Sequence, residues 1–325
     1  VTRRGALLAT AAALGAGAAV SVQTSINGHT SVLVGSPVLA TAVNHGSGLA
    51  LALLVALVLG AFPRAVRTLR ERRTPLRWWW FLGGVMGFGA VLAIIGVTPD
   101  VGVVAVGVAV TLGQLAGSVA ADSWSLGPGG KRSLSIFRVG GIGVAVVAVM
   151  VGAFGRFEVE NLLVIVVVVL AGAIIAIQQA ANAWLIVATG EFSVMSVINF
   201  GVSALFVGAA LLVSMSFEPL DFGAIPWWAP LGGGLGAVIG VVSALAVRAI
   251  GVLSLMLCIA AGQALGSIVM DFVAPVDAVG LTPASVLAAA LAVAAVGLAG
   301  MGSLSRRSRA AGDPRLGAAT PDPLP

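Results

Sequence analysis

Five glutamines and five asparagines are spread through a chain of 325 residues, and eight of these ten recur at fixed spacing. Gln23, Asn27 and Asn44 are matched 155 residues later by Gln178, Asn182 and Asn199, and Gln114 is matched 149 residues later by Gln263. Gln23 and Asn27, like Gln178 and Asn182, stand four residues apart and so share one face of a helix. An amide both donates and accepts hydrogen bonds, which suits recognition of a neutral, zwitterionic or amphipathic molecule. It equally suits gluing one membrane helix to another, and both readings stand for these eight residues. Asp122 and Asp271, also 149 apart, end two predicted helices where the macrodipole disfavours an anion. Each therefore needs a local partner, or serves as a gate or proton carrier. His45 adjoins Asn44 and is replaced by Phe200 in the second copy; a histidine titrates near neutral pH and is a candidate carrier of a coupling proton. His29 is expected to be solvated in a short outer loop, and Glu191 to begin a helix where the dipole favours it.

These residues sit in surroundings that are almost wholly apolar. Hydrophobic residues make up 59% of the chain and charged residues 9%, against roughly 25% charged in an ordinary soluble protein. The chain is therefore expected to be an all-α integral membrane protein, with room for about ten crossings of about 20 residues. The net charge of +5 does not point to nucleic acid, because the basic residues fall between the apolar runs. The single cysteine, Cys258, lies inside an apolar run and offers neither a disulfide framework nor a thiolate cluster. No metal-ligand spacing, phosphate-binding loop or nucleophile elbow is present in the sequence, so no catalytic residue, metal or cofactor is expected. Sixteen arginines to one lysine, with abundant Ala, Val and Gly, fits a GC-rich bacterial coding sequence.

The repeat gives the order of the elements. Arg3, Arg4 and the run from Ala6 to Val22 resemble a secretory signal, but the repeat equates this run with Leu162 to Ile177, an internal helix, so it reads as the first span. Ser36-Pro37 start the second span with a capping residue and a proline at the first helical position, and that span runs to about Gly60. Arg64 to Arg77 hold six arginines and one glutamate, and Trp78-Trp79-Trp80 mark an aromatic interface at the start of a third span ending near Val97. Further spans are expected over about 101–121, 134–154, 161–186, 191–214, 227–247, 250–270 and 285–302. Glycines recur with them: Gly83, Gly84 and Gly87 align with Gly232, Gly233 and Gly236, while Gly113 and Gly117 align with Gly262 and Gly266. Small residues four apart predict close helix packing.

Five spans per copy is an odd number, so two copies in one chain must lie in opposite orientations. With the N-terminus cytoplasmic, sixteen of the seventeen basic residues fall on the inner side and only Arg156 outside, as the positive-inside rule requires. The expectation is a ten-span 5+5 inverted-topology repeat with both termini cytoplasmic, divided as 1–155, 156–302 and a disordered cytoplasmic tail over 303–325. Such repeats place a substrate site near the midplane and alternate its access. The expected function is thus a secondary transporter for a small organic metabolite or drug-like molecule, with a coupling proton a candidate partner. A structural or accessory membrane protein is the alternative. Beyond the small molecule and the bilayer no partner is implied, and a monomer or a homodimer fits.

The motifs Gln-x-x-x-Asn, Gly35-Ser36-Pro37, Asn44-His45-Gly46, Trp78-Trp79 with Gly83-Gly84, and Gly113-Gln114 with Ser118 and Asp122 form a set that recurs in order in the second half, with Glu191-Phe192 in place of Ser36-Pro37 and Phe200 in place of His45. The set resembles the YdcZ-type family of the drug/metabolite transporter superfamily, here as two tandem copies. That resemblance implies a ten-helix inverted-repeat transporter of the bacterial inner membrane and supplies no substrate.

Overall fold

The computed structural model describes residues 3–72, 75–128, 136–153, 159–276 and 281–312. Nine α-helices and two 3₁₀ turns account for the described architecture, with no strand among these residues: α1 (Arg3–Val34), α2 (Pro37–Val58), α3 (Ala61–Arg72), α4 (Leu82–Ser123), α5 (Ile136–Ala153), α6 (Val159–Thr189), α7 (Phe192–Met215), α8 (Pro230–Val273) and α9 (Pro283–Gly312). The 3₁₀ turns are Trp78–Phe81 and Phe222–Ala224. Five apolar stretches are long enough to cross a bilayer: Leu7–Val34, Pro37–Val58, Trp78–Ser123, Leu163–Thr189 and Phe192–Met215.

Local chemistry explains the helix boundaries. The hydroxyl of Ser36 accepts from the Leu39 amide at 3.2 Å and Pro37 opens α2, as the sequence indicates. α1 continues past the loop expected around His29. Thr24, Thr30 and His29 each bond the carbonyl four residues back, so their polar groups are satisfied on the helix itself. Half-buried His29 is therefore part of α1 and not a solvated loop residue. The arginine-rich stretch is not a plain loop either. Gly60, at φ +60°, turns the chain out of α2, and α3 lays Ala61 and Ala65 against Ala56 and Val194 while its arginines face outward.

α4 has 42 residues, a length of about 63 Å at 1.5 Å per residue, twice the hydrocarbon thickness. Gly102, at φ +80° and ψ 165°, breaks it into leading and trailing segments just after Pro99. Those segments correspond to the third and fourth predicted spans. α8, with 44 residues, likewise covers the eighth and ninth. α9 carries helix to Gly312, beyond the expected boundary at 302. The remaining tail residues 313–325 lie outside the described residues, as do Lys131, Arg132 and Arg156 from the charge count.

Packing crosses between the repeats. α1 packs along α8 and α6 along α4, while α2 meets α7 and α5 meets α9. The glycines are the reason these axes come so close. A Cβ at Gly17 would stand 2.0 Å from the Ile259 carbonyl oxygen, and one at Gly262 would stand 2.1 Å from that of Leu14. The equivalent contacts recur in the α4/α6 pair: Gly113 faces the Val169 carbonyl oxygen at 1.9 Å and Gly172 that of Val110 at 2.4 Å. Backbone is therefore laid on backbone, which only glycine permits.

Candidate functional site

Two amide clusters lie at equivalent places in the two copies. In the first, Gln23 Nε2 and Asn27 Nδ2 on α1 both donate to Asn44 Oδ1 on α2, at 3.1 and 3.0 Å. In the second, Gln178 Nε2 on α6 donates to Asn199 Oδ1 on α7 at 3.3 Å, and Asn199 Nδ2 donates to Asn182 Oδ1 at 2.9 Å. The i,i+4 spacing on α1 and α6 brings two amides to one face, and the third reaches across from the next helix. Asn44 and Asn199 stand seven residues beyond the first residues of α2 and α7, roughly 10 Å along the axis. Asn44 is only 2% exposed, and an unsatisfied buried amide is costly.

Each cluster is closed by glycines of the opposite copy. A Cβ at Gly232 would meet Asn27 Oδ1 at 2.3 Å, and one at Gly236 would meet Gln23 Nε2 at 2.9 Å. The counterparts hold in the other copy, where Gly83 faces Asn182 Oδ1 at 2.7 Å and Gly87 faces Gln178 Nε2 at 2.7 Å. Between these pairs, Gly233 lies on the Asn44 carbonyl oxygen and Gly84 on that of Asn199. The glycine motifs of the third and eighth predicted spans are thus the floor beneath the amides of the other repeat.

The clusters flank a single ring contact. His45 and Phe200, the equivalent residues of α2 and α7, meet edge to face with centroids 6.0 Å apart. The sequence shows this pair as a break in the symmetry; the structure places it where α2 crosses α7. His45 Nδ1 lies 3.0 Å from the Thr41 carbonyl oxygen. A carbonyl accepts only, so Nδ1 carries a proton.

The remaining candidates lie apart from the clusters. Asp271 accepts from the Val103 and Val104 amides at 2.9 and 3.0 Å. Those amides open the trailing segment of α4 after the break at Gly102, so the carboxylate caps a helix start 168 residues away in sequence. Asp122 is half-buried at the end of α4. Gln114 is half-buried between Gly113 and Gly117, which pack on the α6 backbone. Gln263 is 5% exposed, its carbonyl accepts from the Ser21 hydroxyl at 2.7 Å, and its side-chain amide lies against Gly107. No cluster of three or more metal-ligating residues occurs among the described residues.

Sequence reasoning missed the ion pair of Glu191. Glu191 holds the Arg64 guanidinium in a two-point ion pair, with Nε to Oε1 at 2.5 Å and Nη2 to Oε2 at 3.1 Å. The carboxylate raises the Arg64 pKa above its ordinary value. The scarcity of acids is the signal that could have found it, since twelve acidic residues serve the whole chain.

A family profile described as "Putative inner membrane exporter, YdcZ" matches the chain twice, over residues 8–151 and 163–298. A crystal structure with 21% sequence identity superposes with a TM-score of 0.57, covering 94% of this chain and 99% of its own, which shows a shared fold. No curated protein matches.

Proposed function

The chain belongs to the YdcZ family of inner membrane exporters, and from that premise we propose that it is a secondary transporter moving a small organic metabolite or drug-like molecule by alternating access. Membership makes it a multi-pass protein of the inner membrane and a membrane transporter. The finer reading takes the described helices as ten crossings, with α4 and α8 each supplying two, arranged as a 5+5 inverted repeat with cytoplasmic termini. The observation that carries it is the pairing of two amide clusters around the His45–Phe200 contact, each closed by glycines of the opposite repeat. Inverted-repeat transporters bind substrate at such a midplane meeting of their copies.

The amides are neutral, so the substrate class they favour is neutral, zwitterionic or amphipathic. For a molecule to enter, one triad must exchange its internal bonds for bonds to the substrate. Membrane hydrogen bonds average about 0.6 kcal/mol, so that exchange is cheap. The mutual bonding of the amides favours the second reading as well, that they only hold helices together.

Alanine at Gln23, Asn27, Gln178 and Asn182, one at a time, separates the two. Purified protein is reconstituted in liposomes and screened for flux of a metabolite and drug panel, with thermal unfolding in detergent measured in parallel. Flux lost with unfolding midpoints nearly unchanged supports a site. Midpoints that fall in step with flux support glue, and absence of flux of any compound by the wild type counts against transport itself.

A further inference from the structure

We infer that Arg64 and Glu191 form a cytoplasmic gate, and that the segment around Leu220–Ile225 is its apolar counterpart on the outer face. This inference rests on the alternating-access reading above. Repeat symmetry makes the two turns comparable. Gly35-Ser36 joins α1 to α2, and Gly190-Glu191 joins α6 to α7, with Gly35 and Gly190 at φ +64° and +73°. Ser36 uses its side chain to cap α2. Glu191 occupies the same capping position with extended backbone, φ −127° and ψ 117°, yet makes no side-chain cap bond. Its carboxylate goes instead to Arg64, on the helix that follows α2. A local bond has been exchanged for one that ties α2 to the α6–α7 turn.

Further contacts hold α3 over that turn. Arg72 Nη1 donates to the Val187 carbonyl oxygen at 2.9 Å, and a Cβ at Gly190 would stand 3.4 Å from Thr68 Oγ1. The loop after α7 plays the equivalent part at the other face by different means. Leu220, Ala224 and Ile225 pack against Val34, Leu39 and Ile95, around the α1–α2 turn. Its acid, Asp221, accepts from the Gly223 and Ala224 amides of its own 3₁₀ turn. One face therefore adds an ion pair to the apolar packing of α3 on α7, and the other is held by apolar contact. Opening toward the cytoplasm must part the ion pair, whose side chains are 45% and 19% exposed and so open to screening by salt.

The test needs no substrate. In a Cys258→Ala background, spin labels are placed on exposed residues as a cytoplasmic pair, Val66 and Val187, and as an outer pair, Val32 and Phe217. Distances are measured by double electron–electron resonance. E191Q and R64Q are each expected to raise the long-distance population of the cytoplasmic pair roughly two- to fivefold, as for loss of a partly exposed ion pair. The charge swap R64E/E191R should restore the wild-type distribution. Raising salt to about 1 M, where the Debye length falls to about 3 Å, should move the wild type toward E191Q without opening the outer pair. A cytoplasmic distribution unchanged in E191Q and insensitive to salt overturns the gate. So does a folded charge swap that fails to restore closure. A chain that opens at this pair but moves no compound would sink the transport reading and keep the gate, and a chain that transports without opening in E191Q would do the reverse.

Discussion

The packing of α4 on α6 and of α1 on α8 yields the most quantitative expectation. Replacing Gly113 by alanine puts a methyl 1.9 Å from the Val169 carbonyl oxygen and 2.8 Å from the Ala173 amide nitrogen. A relaxed carbon-to-oxygen contact is about 3.3 Å, so the axes must separate by roughly 1.4 Å. The obstruction is helix backbone and cannot rotate aside, and overpacking of this kind costs about 1–3 kcal/mol. Gly46 and Gly201 supply the internal control, since they occupy equivalent places in α2 and α7 and a Cβ at either meets nothing within 4 Å. There alanine should stabilise by about 0.5–1 kcal/mol through helix propensity alone. Gly113→Ala and Gly201→Ala should therefore differ by about 1.5–4 kcal/mol, or several degrees in apparent unfolding midpoint in detergent. Gly262→Ala, 2.1 Å from the Leu14 carbonyl oxygen, should fall with Gly113→Ala. If Gly113→Ala melts with Gly201→Ala, the close backbone approach is wrong. If Gly113→Ala and Gly262→Ala part company, the two-fold equivalence of the interfaces is wrong.

Asp271→Ala should uncap the trailing segment of α4, costing about 0.5–2 kcal/mol for the cap and speeding amide exchange at Val103 and Val104 by hydrogen-exchange mass spectrometry. Asp271→Asn keeps one acceptor and should fall between alanine and wild type; unchanged exchange in both variants removes the cap from the account. His45→Phe makes the α2/α7 contact a symmetric pair of phenyl rings and should fold normally by thermal unfolding. If His45 carries a coupling proton, flux in this variant should lose its response to a pH gradient while exchange of substrate persists. A pH-gradient response equal to that of the wild type would exclude His45 as the carrier.

Much of the architecture can be read from the chain because an internal repeat is a comparison the sequence makes with itself. Ten rare amides, eight of them in register, locate both clusters without a structure, and Ser36-Pro37 locates the start of α2. The partners of these residues are another matter. A helix immersed in lipid is apolar on every side, so no stripe marks which neighbour it packs on. That is why Gly83, Gly84 and Gly87 read as packing glycines while the amides they support, far away in the other repeat, stay hidden. Asp271 is a similar case, since a capping carboxylate is recognised by the helix start it serves, and here that start lies in the other repeat. α3 could have been found, because Ala61, Ala65 and Leu69 recur at i,i+4 among the arginines. The charge run drew attention to topology instead.

The contact pattern also constrains what can move. If each repeat were a rigid body, alternating access would require the backbone-to-backbone interfaces α1/α8 and α4/α6 to slide, and these are the least compressible surfaces in the protein. The contacts group the chain differently. α1 and α2 are fastened to α8 through Gly233, Gly236 and Gly262, and α6 and α7 are fastened to α4 through Gly84, Gly87 and Gly113. Each fastened unit draws helices from both repeats, and the two units touch along α2 and α7, where His45 meets Phe200, and along α4, where Asp271 of α8 caps the trailing segment. A rocking motion about that ring contact preserves the backbone-to-backbone glycine interfaces of α1 with α8 and of α4 with α6. It strains what spans the units: the Asp271 cap on α4 between them, the Arg64–Glu191 pair with the α3 packing on α7 at one face, and the Leu220–Ile225 packing at the other. The two faces then differ in how easily they open, because an exposed ion pair weakens with salt and apolar burial does not.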